Sequence, residues 1–152
     1  MEFRLQTIGK ISNKDGQARL MLDRDYVEAL EGLDGFEHIQ VLWWFDGCDH
    51  AQERAKRSES KPYVHGPERL GVFATRSPSR PNPIALSCAG VTYIDHENGI
   101  VGLGYIDAND GSPLLDIKPY TPSLDRVEEP GVPGWCAHWP QSVETSGAFA
   151  WE

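Results

Sequence analysis

The chain has 152 residues, of which 39% are hydrophobic and 24% charged, a balance that excludes a disordered or fibrous protein. Its formal charge of −9 argues against indiscriminate binding to nucleic acid and leaves room only for a local basic face. No apolar run reaches the length of a membrane helix, and the first residues (MEFRLQTIGK) lack the apolar stretch of a secretory leader, so a cytoplasmic location is expected. Cys48, Cys88 and Cys136 are too few and too scattered for a disulfide framework. At this length one domain with its own core is expected over residues 1–152.

In chain order, Phe3 to Ile11 alternates well enough to predict a strand, and Ala18 to Leu22 predicts another. Asp25-Tyr-Val-Glu28 has the form of a capping box and predicts a short helix that Gly32 ends. Ile39 to Phe45 (IQVLWWF) is continuously apolar and reads as a buried strand. Gly47 to Pro67 is a charged excursion with a short helix expected around 50–57. Val72 to Thr75 suits a strand that breaks into the proline-rich run up to Pro83. Ile84 to Ile94, the turn His96-Glu-Asn-Gly99 and Ile100 to Ile106 predict a hairpin, because Asn-Gly favours a tight turn. Leu114 to Lys118 is a last short strand, after which Pro and Gly dominate. Several short strands with little helix predict a mainly β protein, a small single-domain antiparallel β-barrel with short helices. The irregular C-terminal tail, with Trp135, Trp139 and Trp151, is expected to pack over it.

Candidate chemistry concentrates in two segments. In Gly71–Pro83 (GVFATRSPSRPNP), Pro78, Pro81 and Pro83 exclude helix and stiffen the loop. Such a loop can present Arg76 and Arg80 to a carboxylate or phosphate, or it is a rigid surface connection. The surrounding stretch is basic (Arg54, Lys56, Arg57, Lys61, Arg69, Arg76, Arg80 against Glu59 and Glu68), either a phosphate-facing strip or a solvated loop. In Asp107–Tyr120 (DANDGSPLLDIKPY), Asp110-Gly111 and Ser112-Pro113 signal a stiff turn. Leu115 and Ile117 should then point inward, with Asp116 and Lys118 outward. That places a carboxylate, an ammonium and the Tyr120 phenol near one turn, or makes an edge strand with a local charge pair.

Other chemistries fail on context. Gly102-Leu-Gly104 lacks the third glycine and the following helix of a dinucleotide turn. Ser77 and Ser87 sit in no nucleophile elbow. Cys48-Asp-His50 and Cys136-Ala-His138 have an uncommon spacing for zinc, and no metal is expected.

GVFATRSPSRPNPIALS (Gly71–Ser87) followed by DANDGSPLLDIKPY resembles the paired motifs of the TsaA/TrmO family of S-adenosylmethionine-dependent tRNA methyltransferases. Ile8 to Ile11 and Leu33 to Phe45 look like that family's start and central strand, so the resemblance covers roughly residues 3–125, leaving 126–152 as tail. It implies a small β-barrel methyltransferase unrelated to the Rossmann type, typically a homodimer, using S-adenosyl-L-methionine. The implied reaction is N6-methylation of N6-threonylcarbamoyladenosine beside the tRNA anticodon. By motif position it implies donor contacts at Asp46, Gly47, Arg76, Leu86, Asp110, Gly111, Ser112 and Pro113. Arg76 or Arg80 suits the donor's carboxylate, and Phe73 suits its sulfonium through the ring face. Asp116, Lys118 and Tyr120 are candidate catalytic groups that orient the N6–H or accept its proton. The chain departs from the family at Ser12–Ala18, which is short and lacks a Ser-Pro-Tyr/Phe turn and Pro-Arg-Gln element. It also has Asp46-Gly47 where members often carry His-Gln. Two alternatives stand beside this reading: a same-fold methyltransferase acting on a small molecule, and a non-catalytic donor-binding module.

Overall fold

The computed structural model describes residues 1–151; Glu152, the last residue of the expected tail, lies outside them. Alternation builds a closed wall. Strand β3 (His38–Trp44) buries Ile39, Val41 and Trp43 and turns His38, Gln40, Leu42 and Trp44 outward. The same period sets Ile11 of β1 (Gly9–Lys14), Ala18 and Leu20 of β2 (Gln17–Leu22) and Ala85 and Ala89 of β6 (Ile84–Asp95) inward. Val101 and Leu103 of β7 (Ile100–Leu103) and Leu114 of β8 (Pro113–Pro119) complete the interior. The strands run β1-β2-β7-β6-β3-β8, all antiparallel, and the ring closes where Gly9 and Lys10 pair with Leu114 and Pro113. Closure leaves the barrel strands without an open edge, and the expected antiparallel barrel is the observed fold.

Short turns hold the wall together. Asp15 and Gly16 both take positive φ (55° and 70°), giving the β1–β2 hairpin the turn that matches strand twist. At the β6–β7 hairpin the Asp95 carboxylate accepts from the N–H groups of Glu97 and Asn98, and Gly99 follows with φ 66°.

Several expectations shift for local reasons. β1 starts at Gly9 rather than Phe3, because β2 ends at Leu22, opposite Gly9; Ile8 still accepts from Asp23 N–H and donates to Leu114 O, and residues 3–7 lie beyond the end of β2. The Asp25 capping box becomes a 3-10 helix, Arg24–Leu30, with Asp23 at its start and no side-chain cap; its Leu30 seals into the core. β7 stops at Leu103, because the carbonyls of Ile106 and Ala108 bond the Asn13 side chain instead of a neighbouring strand. Val72–Ala74 is a 3-10 turn, not a strand. The strand ahead of it is β5 (Arg69–Gly71), which pairs with β4 (Ser58–Ser60) in a separate two-stranded sheet. In β8 a bulge opposite Leu42/Trp43 absorbs Leu115, so Leu114 and Ile117 face inward instead of Leu115 and Ile117. A helical turn, α1 (Ala51–Arg54), forms in the excursion as expected.

The tail lies close to the outside of the barrel, where burial and then the Asp125 and Glu144 carboxylates raise the Cys88 pKa on β6, and its tryptophans turn to the excursion. It carries short helical turns, α2 (Pro122–Asp125) and α3 (Val143–Ser146), the latter capped by Ser142. Trp135 stacks on Tyr63 of the excursion (centroids 5.4 Å apart, planes at 20°), and Trp139 meets the same ring edge-on at 5.0 Å. Trp151 and Phe149 extend that cluster. Large flat rings bury most area against each other, and the barrel interior is already filled.

Candidate functional site

The proline-rich loop is held by side chains because proline removes the amide donors that would otherwise bond its carbonyls. Arg80 supplies them: Nε donates to Ser77 O (2.7 Å), and Nη2 to Val72 O (2.8 Å) and Thr75 O (2.6 Å). The excursion buttresses the loop from outside. Ser77 Oγ donates to Glu59 Oε1 at 2.9 Å, and Ser79 Oγ to Glu53 Oε2. Arg54 Nε donates to Pro81 O at 2.9 Å, and Lys56 pairs with Glu53 at 3.2 Å. The Ser79 hydrogen bond, and then Lys56, hold the Glu53 carboxyl below its ordinary value.

The second loop is fixed from β1. Asn13 Nδ2 donates to Ile106 O (2.9 Å) and Ala108 O (2.8 Å), and Asn13 N–H to Asp110 Oδ1 (2.9 Å). Gly111, with φ 85°, donates to Ile11 O at 2.7 Å, and the buried Ser112 donates its hydroxyl to Asn109 O at 2.7 Å.

Between these loops lies a cleft of about 210 Å³, lined by Trp43, Phe45, Asp46, Cys48, Pro78, Asp107, Asn109 and Ser112. Trp43 meets Phe45 edge-on at 4.8 Å. Trp43 Nε1 donates to Ser87 Oγ (3.0 Å), and Ser87 Oγ donates to Asp107 Oδ1 (3.1 Å). Aromatic rings and two carboxylates, with no lysine or arginine in the lining, suit a ligand carrying positive charge.

The donor-binding candidates fall into three groups. Asp46 and Ser112 line the cleft; Gly47 (φ 82°) turns the chain out of β3 beside it, and Asp110, Gly111 and Pro113 belong to the loop that carries Ser112. Phe73, Arg76 and Leu86 lie outside the lining: Phe73 is 84% exposed on its 3-10 turn, and exposed Arg76 donates from Nη1 to Leu86 O at 3.0 Å. Arg80 is enclosed in the loop as its clamp.

Asp116, Lys118 and Tyr120 are not among the residues that line the cleft. Asp116 and Lys118 sit opposite the outward-facing Leu42 and Gln40, paired at 2.7 Å, and this contact raises the Lys118 pKa. Asp116 lines a different groove of about 330 Å³, with Ile8, Leu30 and Phe36. Tyr120 donates its N–H to His38 O (3.0 Å). His38 begins β3, so Tyr120 stands roughly 20 Å along the strand from Trp44.

Sequence reasoning gave no role to Asn13, Glu53, Glu59, Ser87 or Asp107. Ser87 and Asp107 fall inside the quoted motifs, a signal that was there to use; Asn13 has none, because its partners lie more than ninety residues away. Each basic residue of the 54–80 stretch hydrogen-bonds or ion-pairs within the protein, Arg57, Lys61 and Arg69 to Arg54 O, Glu68 and Ser58. Among the described residues no group of three or more His, Cys, Asp or Glu is placed to hold a metal ion. Among the same described residues no helix is long and apolar enough to cross a membrane.

A closed antiparallel barrel with two side-chain-clamped loops around a cation-suited cleft defines a compact β-barrel ligand-binding class, distinct from doubly wound nucleotide folds. Residues 8–126 match the model of the family described as tRNA-methyltransferase O N-terminal domain, and the chain belongs to that family. The resemblance carried by the two motifs therefore holds. The chain is 36% identical over 122 residues to a probable S-adenosyl-L-methionine-binding protein of Pyrococcus abyssi (80% of this chain, 61% of that one). It is 35% identical over 123 residues to the tRNA (adenine(37)-N6)-methyltransferase of Escherichia coli (80% of this chain, 52% of that one). A crystal structure of TrmO from Pseudomonas aeruginosa superposes with a TM-score of 0.66 at 30% identity, covering 86% of this chain and 62% of that one. The chain thus spans between about half and two thirds of the length of these relatives.

Proposed function

We propose that the chain is an S-adenosyl-L-methionine-dependent methyltransferase that acts on the N6 nitrogen of threonylcarbamoyladenosine next to the tRNA anticodon. The observation that carries this reading is the convergence of Asp46, Pro78 and Ser112, from three separated segments, on one aromatic and acidic cleft. The donor carries a sulfonium and an ammonium, which ring faces and carboxylates favour. Relatives named for binding this donor, or for methylating adenine 37, support the same chemistry. Methyl transfer from sulfur is an in-line displacement that depends on alignment, and clamped loops provide it. Arg76, exposed beside Leu86, suits the donor's carboxylate, while Arg80 serves the loop. Phe73 and Gly47, Asp110, Gly111 and Pro113 complete the donor's surroundings in this reading.

The exposed Phe73 and Leu86 suit a homodimer. Asp116, Lys118 and Tyr120 enter the reading as acceptor-orienting groups supplied across such a dimer. We place the enzyme in the cytoplasm, as a single barrel domain with a tail. One observation favours a small-molecule acceptor instead: the basic stretch is engaged within the protein, on a chain of charge −9.

The deciding experiment is mass spectrometry of tRNA nucleosides from a strain lacking the gene. Loss of the methylated threonylcarbamoyladenosine supports the reading. An unchanged profile removes tRNA as the acceptor, and calorimetric titration with the donor then decides whether the donor half stands.

A further inference from the structure

We propose that Asp107 is the catalytic carboxylate of the cleft, taking the proton from the acceptor nitrogen as it is methylated, with Ser87 and Trp43 as its positioning residues. The inference rests on the methyltransferase reading above and names the group that its proton step needs.

The polarity of the hydrogen-bond chain is determined by its first member. An indole N–H only donates, so Ser87 Oγ accepts from Trp43 Nε1 at 3.0 Å and must direct its own hydrogen to Asp107 Oδ1 at 3.1 Å. A carboxylate that receives a hydroxyl on one oxygen is oriented, and Oδ2 remains its acceptor for the cleft that Asp107 lines. The chain is anchored in the barrel wall: Trp43 is 4% exposed on β3, and Ser87 stands on β6 opposite Val41, one diagonal position away. Asp107 itself stands on the loop between β7 and β8, and the Ser87 hydroxyl ties its carboxylate to that wall.

The other carboxylates are less suited. Asp116 is outside, its Oδ2 on Lys118 and its Oδ1 on the Ile117 N–H. Asp46 also lines the cleft, but it sits in the turn after β3, where among the described residues its backbone N–H donates to Trp44 O and no side-chain bond orients its carboxylate. In the step proposed, the acceptor nitrogen's electron pair forms the N–CH3 bond while the C–S bond breaks, its pair staying on sulfur as the neutral thioether. The N–H bond breaks with its pair left on nitrogen, and Asp107 Oδ2 takes the proton, so the atoms and charges balance.

The test measures methyl transfer from labelled donor to total tRNA of a strain lacking the gene, alongside calorimetric donor binding, with the full chain. Asp107→Asn should lower kcat at saturating donor by about 100-fold or more, while donor Kd rises by no more than about 10-fold, the loss expected from removing one of the cleft's two carboxylates. Ser87→Ala should lower kcat by about 10-fold with donor Kd unchanged, and Ser87→Thr, which keeps the hydroxyl, should recover most of it. Wild-type turnover by Asp107→Asn overturns the assignment. A loss of donor binding that accounts for the loss of rate also overturns it and makes Asp107 a donor contact. If Asp107→Asn does not fold, the Ser87 pair decides alone: equal loss in Ala and Thr variants, or loss in neither, rejects the relay. A wild-type chain that binds donor and transfers no methyl removes the underlying reading, and this inference with it.

Discussion

The two motif segments treat their residues in opposite ways. Gly71–Pro83 curls on itself: Arg80 gathers three groups' worth of backbone contact, and the loop's residues stay at one end of the barrel. Asp107–Tyr120 starts at the same end, then straightens into β8 and leaves it. Its first half meets the cleft and its second half ends beside His38. Residues that are close in a motif share a site when the chain turns, and are carried about 3.3 Å further apart per residue when it extends.

That contrast can be broken at its clamps, starting with the largest effect. Arg80→Met removes three charge-assisted hydrogen bonds to carbonyls that prolines leave short of donors, and should cost about 3 kcal/mol in denaturant unfolding. Wild-type stability in that variant means that the prolines alone hold the loop. Asn13→Ala removes two bonds to the second loop and should cost about 2 kcal/mol by the same measurement. Arg76→Ala, one exposed residue on the loop surface, should leave stability within about 0.5 kcal/mol. It should weaken donor binding by about 10-fold, or about 1.4 kcal/mol, and unchanged affinity would move the donor's carboxylate elsewhere.

The smallest effect is on pH dependence. The Glu53 carboxyl is held below 4.5, chiefly by Ser79 and then by Lys56. A carboxylate with a depressed folded pKa stabilises fully above its unfolded value and loses that contribution as pH falls through the folded value. Melting curves of Glu53→Gln should therefore run below wild type and parallel to it above the ordinary carboxylate range, and converge with it as the pH falls, because the variant has no such contribution to lose. Equal slopes would mean that the buttress does not depend on this charge.

Much of the barrel was legible because it rests on local alternation. Ile39, Val41 and Trp43 state the inward face of β3 without reference to any partner, and Asn98-Gly99 states its turn through backbone conformation. Val72–Thr75 was misread because its apolar residues fit a strand, while the carbonyl partners that bend it into a turn come from Arg80, further along the chain. The tail's contact with the excursion was not legible, because three tryptophans announce burial without saying against what; Tyr63 supplies the answer.

The candidate site divides along the same line. Its two motif segments, and hence the family, were determined by the order of residues alone, since stiff proline turns and alternating strands are local properties. Tertiary structure alone decided that Asp46, Pro78, Asp107 and Ser112 share one cleft, that Asp116 and Tyr120 do not line it, and that Trp43 aims Asp107 through Ser87. Those relations depend on which strands pair and in what register, and closing a barrel sets both through contacts between residues far apart in the chain.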